Sequence, residues 1–264
     1  MRFARFSCLA LLVGLSFAAQ ARMVHRPVAW TLDGTHFKSV LVYDDAGAVK
    51  RPALVMVPNW YGVNDAAIQK ADMIAGKDYV ILLVDMYGEN VRPQPGHADQ
   101  AQAATKPLYG DRALMRKRIN EALAQLKAQA GRAPIDTGKL AAIGFCFGGT
   151  AVLDLARSGA DIAAVVSFHG GLATDDPALS RNIKARVLAM NGANDKGTMP
   201  DADRFMAEMR ASPADWEFVV IGNAVHCFTE VGENSPGCKY DPRAAARSYR
   251  LMQDWLRAAF SGTP

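Results

Sequence analysis

Two hydrophobic periods alternate along this chain. Runs in which every residue is apolar, at 53–57, 79–84 and 140–143, have the character of strands covered on both faces. Between them, apolar residues recur every three to four positions at 65–75, 111–130, 148–157, 199–209 and 242–259, which predicts helices buried along one side. Further strands are expected at 162–167, 186–190 and 216–221. Residues 28–32 and 37–43 read as an opening hairpin turned by Asp33-Gly34. Residues 86–100, with Gly, Pro, Asn and Gln, read as a long loop. Strand and helix in alternation point to an α/β chain, a mainly parallel sheet flanked by helices on both faces. No Pro- or Ser-rich linker divides it, so residues 22–264 are expected to form one domain.

The first 21 residues stand apart. Arg2 and Arg5 precede an apolar stretch at 9–17 and an A-x-A site at Ala19-Gln20-Ala21, the order of a secretory signal peptide. That stretch is too short to span a bilayer, and no later apolar run approaches membrane length. The expected location is periplasmic or secreted, with cleavage near Ala21. The formal charge of +4 falls to about +2 without Arg2 and Arg5, and no basic stripe interleaves with aromatics, so nucleic acid is not an expected partner. Composition is silent on oligomeric state.

The most informative chemistry lies at Gly144-Phe145-Cys146-Phe147-Gly148-Gly149, between a strand pattern and a helix pattern. A sharp strand-to-helix turn strains its central residue and needs small residues two before and two after, so that a nucleophile projects clear of the sheet. The helix N-terminus behind it favours an anion, which suits a thiolate at Cys146. Two later strand ends carry the partners such a thiol needs. The strand at 186–190 runs into Asn191-Gly192-Ala193-Asn194-Asp195, and the strand at 216–221 into Gly222-Asn223-Ala224-Val225-His226. In this order His226 takes the proton from Cys146, or forms a thiolate–imidazolium pair with it, and Asp195 fixes the ring tautomer.

Past Ala21 three cysteines remain: Cys146, Cys227 and Cys238. In an oxidising compartment an odd number leaves one thiol over. Cys227 and Cys238 bracket a short loop, so either they bridge and spare Cys146 or all three are separate thiols. Neither CxxC nor HxxxH occurs, and no metal or cofactor is expected.

These motifs resemble those of the dienelactone hydrolase family. Gly144-Phe145-Cys146-Phe147-Gly148-Gly149, Gly192-Ala193-Asn194-Asp195 and Val225-His226-Cys227-Phe228 match its three motifs. Val57-Pro58-Asn59-Trp60-Tyr61-Gly62-Val63-Asn64 is similar to its oxyanion-side loop. The resemblance runs from about Arg51 to the C-terminus. It implies an α/β-hydrolase fold, a Cys-His-Asp triad acting on lactones or esters, and an oxyanion hole formed by the backbone N–H groups of Phe147 and Trp60.

Two departures qualify what the resemblance implies. Founding members of the family carry a Glu that helps ionise the cysteine, where this chain has Asn59, so activation would rest on His226 and the helix dipole. Arginines of those members hold a substrate carboxylate. Arg92 corresponds loosely to one, but Glu230 follows the histidine loop here, and a carboxylate facing an acidic substrate would repel it. A small neutral or weakly polar ester or lactone is therefore the expected substrate. Asn59, Tyr61, Arg92 and His169 are candidate pocket residues. The rival reading is a non-catalytic or redox-sensitive thiol protein on the same fold.

Overall fold

The computed structural model describes residues 22–262. The leader-like segment 1–21 lies outside them. Among the described residues no helix is long and apolar enough to cross a membrane. Eight strands form one sheet: β1 (Met23–Leu32), β2 (Thr35–Asp44), β3 (Arg51–Val57), β4 (Val80–Leu83), β5 (Ile135–Phe145), β6 (Ala164–Phe168), β7 (Arg186–Gly192) and β8 (Trp216–Ile221). Their order across it is β1-β2-β4-β3-β5-β6-β7-β8. β1 and β2 are antiparallel, β2 is antiparallel to β4, and the pairs from β4 through β8 are parallel. The opening hairpin turns as its sequence implies. Asp33 and Gly34 both sit at positive φ, 48° and 75°, as a two-residue type I′ turn demands.

Parallel strands need crossovers, and the helices that supply them cover both faces. Alternate residues of one strand therefore enter different cores. Val55 and Val57 of β3 face the cluster that holds Met115 and Ile119 of α3 (Arg112–Ala128) and Val152 of α4 (Phe147–Arg157). Leu54 and Met56 face the cluster built with Ile74 of α1 (Asp65–Ala75) and Trp255 of α6 (Pro242–Ser261). Burial on both sides explains why these strands read as unbroken apolar runs. The helix starts are marked by side-chain caps. Asn64, Asp111 and Asp241 accept the N–H groups of Ala67, Leu114 and Ala244 at 2.8–3.0 Å.

Every residue of α4 is buried, including two charged ones. Asp154 accepts from Arg112 Nε at 2.7 Å, and Arg157 Nε donates to Glu208 at 2.8 Å. Buried charges persist only where they are paired in this way.

The structure departs from the sequence pattern in three places. The segment after residue 97 is helical: α2 (Ala98–Gly110) follows the loop. Its buried positions are Ala101, Thr105 and Leu108, a stripe at helical spacing but too weakly apolar to stand out, and Pro107 masks it further. Residues Met199–Asp201 form a 3₁₀ turn, and the regular helix α5 is Ala202–Arg210. The loop after His226 carries a small hairpin, β9 (Asn234–Ser235) against β10 (Cys238–Lys239).

Candidate active site

β3, β5, β6, β7 and β8 lie side by side and run parallel, so their C-terminal ends open onto one edge. That edge is where ligands bind in sheets of this kind. It collects Asn59-Trp60 after β3, Cys146 after β5, His169 after β6, Asp195 after β7 and His226 after β8.

Cys146 occupies the turn between β5 and α4 with φ 54° and ψ −117°. A side-chain-bearing residue in that region costs on the order of 1–3 kcal/mol and is held there by its surroundings. The surroundings are visible. A Cβ at Gly144 would stand 2.1 Å from the Gly148 carbonyl oxygen, and one at Gly148 would stand 2.1 Å from the Val57 carbonyl oxygen. The Cys146 N–H donates to the Phe168 carbonyl at 3.0 Å, and its own carbonyl accepts from Thr150 N–H at 3.2 Å, beginning the helix. Phe147 is the first residue of α4, and an N–H in that position has no intrahelical acceptor. Its ring is fixed between Tyr87 and Tyr109, at 5.4 and 5.7 Å between centroids.

His226 Nε2 lies 3.1 Å from the Cys146 sulfur, and its Nδ1 lies 2.7 Å from Asp195 Oδ2. Burial by itself would lower the imidazole pKa. The hydrogen bonds to Asp195 and Cys146, with the negative charge of both, outweigh it and push the pKa up to about 10. Both ring nitrogens thus have a side-chain partner, the Asp195 carboxylate on one side and the Cys146 sulfur on the other. Asp195 is buried, and its desolvation is more than offset by hydrogen bonds from His226 and Thr198 that hold it below the usual carboxylate range. Its Oδ1 accepts from the N–H groups of Gly197 and Thr198 at 2.9 and 3.2 Å, and its Oδ2 from the Thr198 hydroxyl at 2.7 Å. Asn191 in turn donates to the Thr198 oxygen at 2.8 Å. Thr198 and Asn191 were not singled out from the sequence. The only sequence signal was a hydroxyl three residues after an Asp in a turn.

Cys227 and Cys238 are bridged, and among the described residues Cys146 is the free thiol. The bridge begins one residue after His226, whose carbonyl accepts from Lys239 N–H at 3.0 Å. Pro236 and Gly237, inside the closed loop, form one wall of a cavity of about 660 Å³ that contains Cys146 and His226. Its other walls include Tyr109, Gly171, Asn194, Lys196 and Thr198.

The four candidate pocket residues are placed elsewhere. Arg92 donates to Asp85 Oδ2 at 2.8 Å and to the Gly88 carbonyl at 2.9 Å, and lines neither this cavity nor its neighbour. His169 is fully buried behind the site, edge-on to the His226 ring at 5.0 Å, with Nε2 2.8 Å from the Thr229 hydroxyl. Burial, with the nearby charges of His226 and Lys70, holds its pKa well below the ordinary histidine value, so it is neutral. Asn59 and Tyr61 line a second, smaller cavity of about 390 Å³, together with Lys70, Phe145, Glu230 and Tyr249. Glu230 likewise does not confront a substrate beside Cys146. It is only 7% exposed and bound to Lys70 Nζ at 2.5 Å and to the Asn59 amide at 2.6 Å, so its charge is neutralised within the protein. Among the described residues no group of three or more His, Cys, Asp or Glu side chains is arranged to hold a metal.

Comparison with known proteins agrees with this architecture. The family model for the dienelactone hydrolase family matches residues 38–260. A solved structure described as a dienelactone hydrolase-like promiscuous phosphotriesterase from metagenomic libraries is 35% identical, with a TM-score of 0.82 over 90% of this chain and 98% of that one. A Bradyrhizobium protein described as a probable 2-oxo-3-(5-oxofuran-2-ylidene)propanoate lactonase is 28% identical over 86% of this chain and 93% of its own. The dienelactone hydrolase of Anabaena variabilis, at 20% identity and a TM-score of 0.66 over 89% of this chain and 97% of that one, shares the fold. The chain, an eight-stranded α/β hydrolase with its reactive groups at the ends of parallel strands, belongs to the dienelactone hydrolase family.

Proposed function

We propose that this chain hydrolyses small esters or lactones with Cys146 as nucleophile, through a thioester acyl-enzyme. The observation that carries the reading is the continuous contact from the Cys146 sulfur through His226 to Asp195, at 3.1 and 2.7 Å. The thiolate attacks the carbonyl carbon, and the charge that develops on oxygen is received by the N–H groups of Phe147 and Trp60. Collapse breaks the carbon–oxygen bond of the ester, and His226 gives its proton to the departing alkoxide. Neutral His226 then takes a proton from water, whose oxygen attacks the thioester. Collapse of that second adduct releases the acid and restores the thiolate beside the imidazolium. Asp195 keeps the ring oriented throughout. No cofactor enters this sequence.

The substrate in this reading is small and neutral or weakly polar. No arginine is among the residues lining the Cys146 cavity, whose one lysine is Lys196, and the carboxylate of Glu230 is committed to Lys70. The lactonase and phosphotriesterase names of two relatives add oxofuranylidene lactones and phosphotriesters to the compounds worth testing. We also propose export to an oxidising compartment, which the leader-like N-terminus and the Cys227–Cys238 bridge both support.

The test is turnover of a panel of aryl esters and lactones by the wild type beside Cys146→Ala. Loss of turnover in the variant, with an acyl adduct trapped on Cys146 of the wild type, is the expected result. Equal turnover in both would overturn the nucleophile. A wild type inactive on the whole panel would favour a redox-sensitive thiol instead.

A further inference from the structure

Asn59 has a carboxylate partner across the site, Glu230, 171 residues away in sequence. We propose that Lys70, Glu230 and Asn59 form a relay that aims the Trp60 N–H at the developing oxyanion, and that Asn59 and Glu230 are a matched pair. The inference rests on the thioester reading above.

The geometry begins at the turn after β3. Gly62 N–H donates to the Asn59 carbonyl at 2.9 Å, and Gly62 takes φ 69°, closing a turn over Asn59-Trp60-Tyr61-Gly62. The next peptide is held at both ends. The Trp60 carbonyl accepts from the Tyr87 hydroxyl at 3.0 Å, and the Tyr61 N–H donates to the Asn59 side-chain oxygen at 3.0 Å. In a trans peptide the Trp60 N–H points opposite to the Asn59 carbonyl. That carbonyl is engaged within the turn, so the N–H faces out of it. Its direction follows the backbone of Asn59, which the Asn59 side chain locks.

The lock is anchored from outside the turn. The Asn59 amide nitrogen donates to Glu230 Oε2 at 2.6 Å. Glu230 Oε1 is held by Lys70 Nζ at 2.5 Å and accepts from the Thr229 hydroxyl at 3.2 Å. Lys70 lies on α1, and its ammonium sits 4.2 Å over the ring of Phe145, the residue before Cys146. One lysine therefore braces the elbow strand and the carboxylate that fixes the oxyanion turn. A carboxamide at 59 can accept from Tyr61 N–H with its oxygen and donate to Glu230 with its nitrogen together. A carboxylate there would bring two like charges to hydrogen-bond distance.

The pairing makes a reversal possible. In Asn59→Asp with Glu230→Gln, the new carboxylate accepts from Tyr61 N–H and from the new amide, whose oxygen still accepts from Lys70. We would measure kcat and KM on an aryl ester, and the rate of Cys146 alkylation by iodoacetamide, for N59D, E230Q and the double variant. Alkylation needs the thiolate but no oxyanion donor.

Each single change is expected to lower kcat by roughly tenfold to a hundredfold, since misplacing one donor costs on that order. KM and the alkylation rate should hold, and the double variant should recover most of the loss. Single-variant losses that simply multiply in the double variant would overturn the pairing. Alkylation falling in step with kcat would also overturn it, placing the effect on the nucleophile or the fold. Turnover in the wild type with no loss in either single variant sinks the relay alone. Normal alkylation with no turnover in the wild type removes the hydrolase reading, and the relay with it.

Discussion

Gly148 lies against Val57 so closely that a Cβ on the glycine would stand 2.1 Å from the Val57 carbonyl oxygen. The contact joins the helix behind Cys146 to the strand that leads into the turn closed between Asn59 and Gly62. Gly148→Ala forces backbone apart at both. It is expected to cost at least about 1–3 kcal/mol, the range for an overpacked core. Thermal unfolding would show a lower Tm, and activity should fall in the fraction that remains folded. An unchanged Tm would mean that the elbow is more pliant than its packing implies.

Asp195→Asn tests the orienting role. The side chain keeps its size, but an amide facing His226 Nδ1 favours the wrong tautomer. Turnover is expected to fall by roughly 10²–10⁴-fold, by analogy with the serine triads in which such a change has been made, and Tm to fall as well, since the raised His226 pKa rests in part on the Asp195 carboxylate. Thr198→Val removes one hydroxyl donor and leaves the two N–H donors to Asp195, so its loss should be smaller. Steady-state kinetics on both variants checks the ranking.

The His226 ring should stay protonated far above the ordinary histidine range, with a midpoint of about 10. The sign for stability follows. The folded state holds this proton more tightly than the unfolded chain, so the contribution is full below about pH 6.5, the unperturbed value, and is lost as pH rises toward 10. The stability difference between wild type and His226→Gln should shrink across that window. In Cys146→Ala the sulfur's share of the rise disappears, and the midpoint should move down. Ring-proton NMR titration reads both.

The Cys227–Cys238 bridge spans a sequence separation of 11 and starts beside His226. In the chain-entropy model a loop of this size contributes about 3 kcal/mol. The paired change to serine should lower Tm accordingly. Because Pro236 and Gly237 wall the Cys146 cavity, kcat/KM should fall as well. Reduction of the wild type by dithiothreitol should reproduce both effects. A variant with lower Tm but unaltered kinetics would confine the bridge to stability.

Much of this molecule is legible before it folds. Unbroken apolar runs marked the central strands because both faces of a parallel sheet are covered. Asp33-Gly34 marked the hairpin because few other pairs accept two positive φ values. The small residues around Cys146 marked the elbow because a larger one would collide with Gly148 or Val57. The α2 helix was hidden for the opposite reason: Ala101 and Thr105 bury too little apolar surface to make a pattern.

Chain order and local chemistry alone determined which loops bear Cys146, the imidazole and the carboxylate, and which two cysteines bracket a loop, while the bridge between those two appears only in the fold. Only the tertiary structure decided what each charge faces. Arg92 and Glu230 looked like substrate contacts in sequence, but folding gave them Asp85 and Lys70 as partners. Asn59 looked like a lost activator and became the centre of a hydrogen-bonded turn. Strand periodicity is a property of neighbouring residues and is written locally. A charge takes its role from whatever the fold brings within hydrogen-bond reach, here from 171 residues away in the case of Asn59 and Glu230.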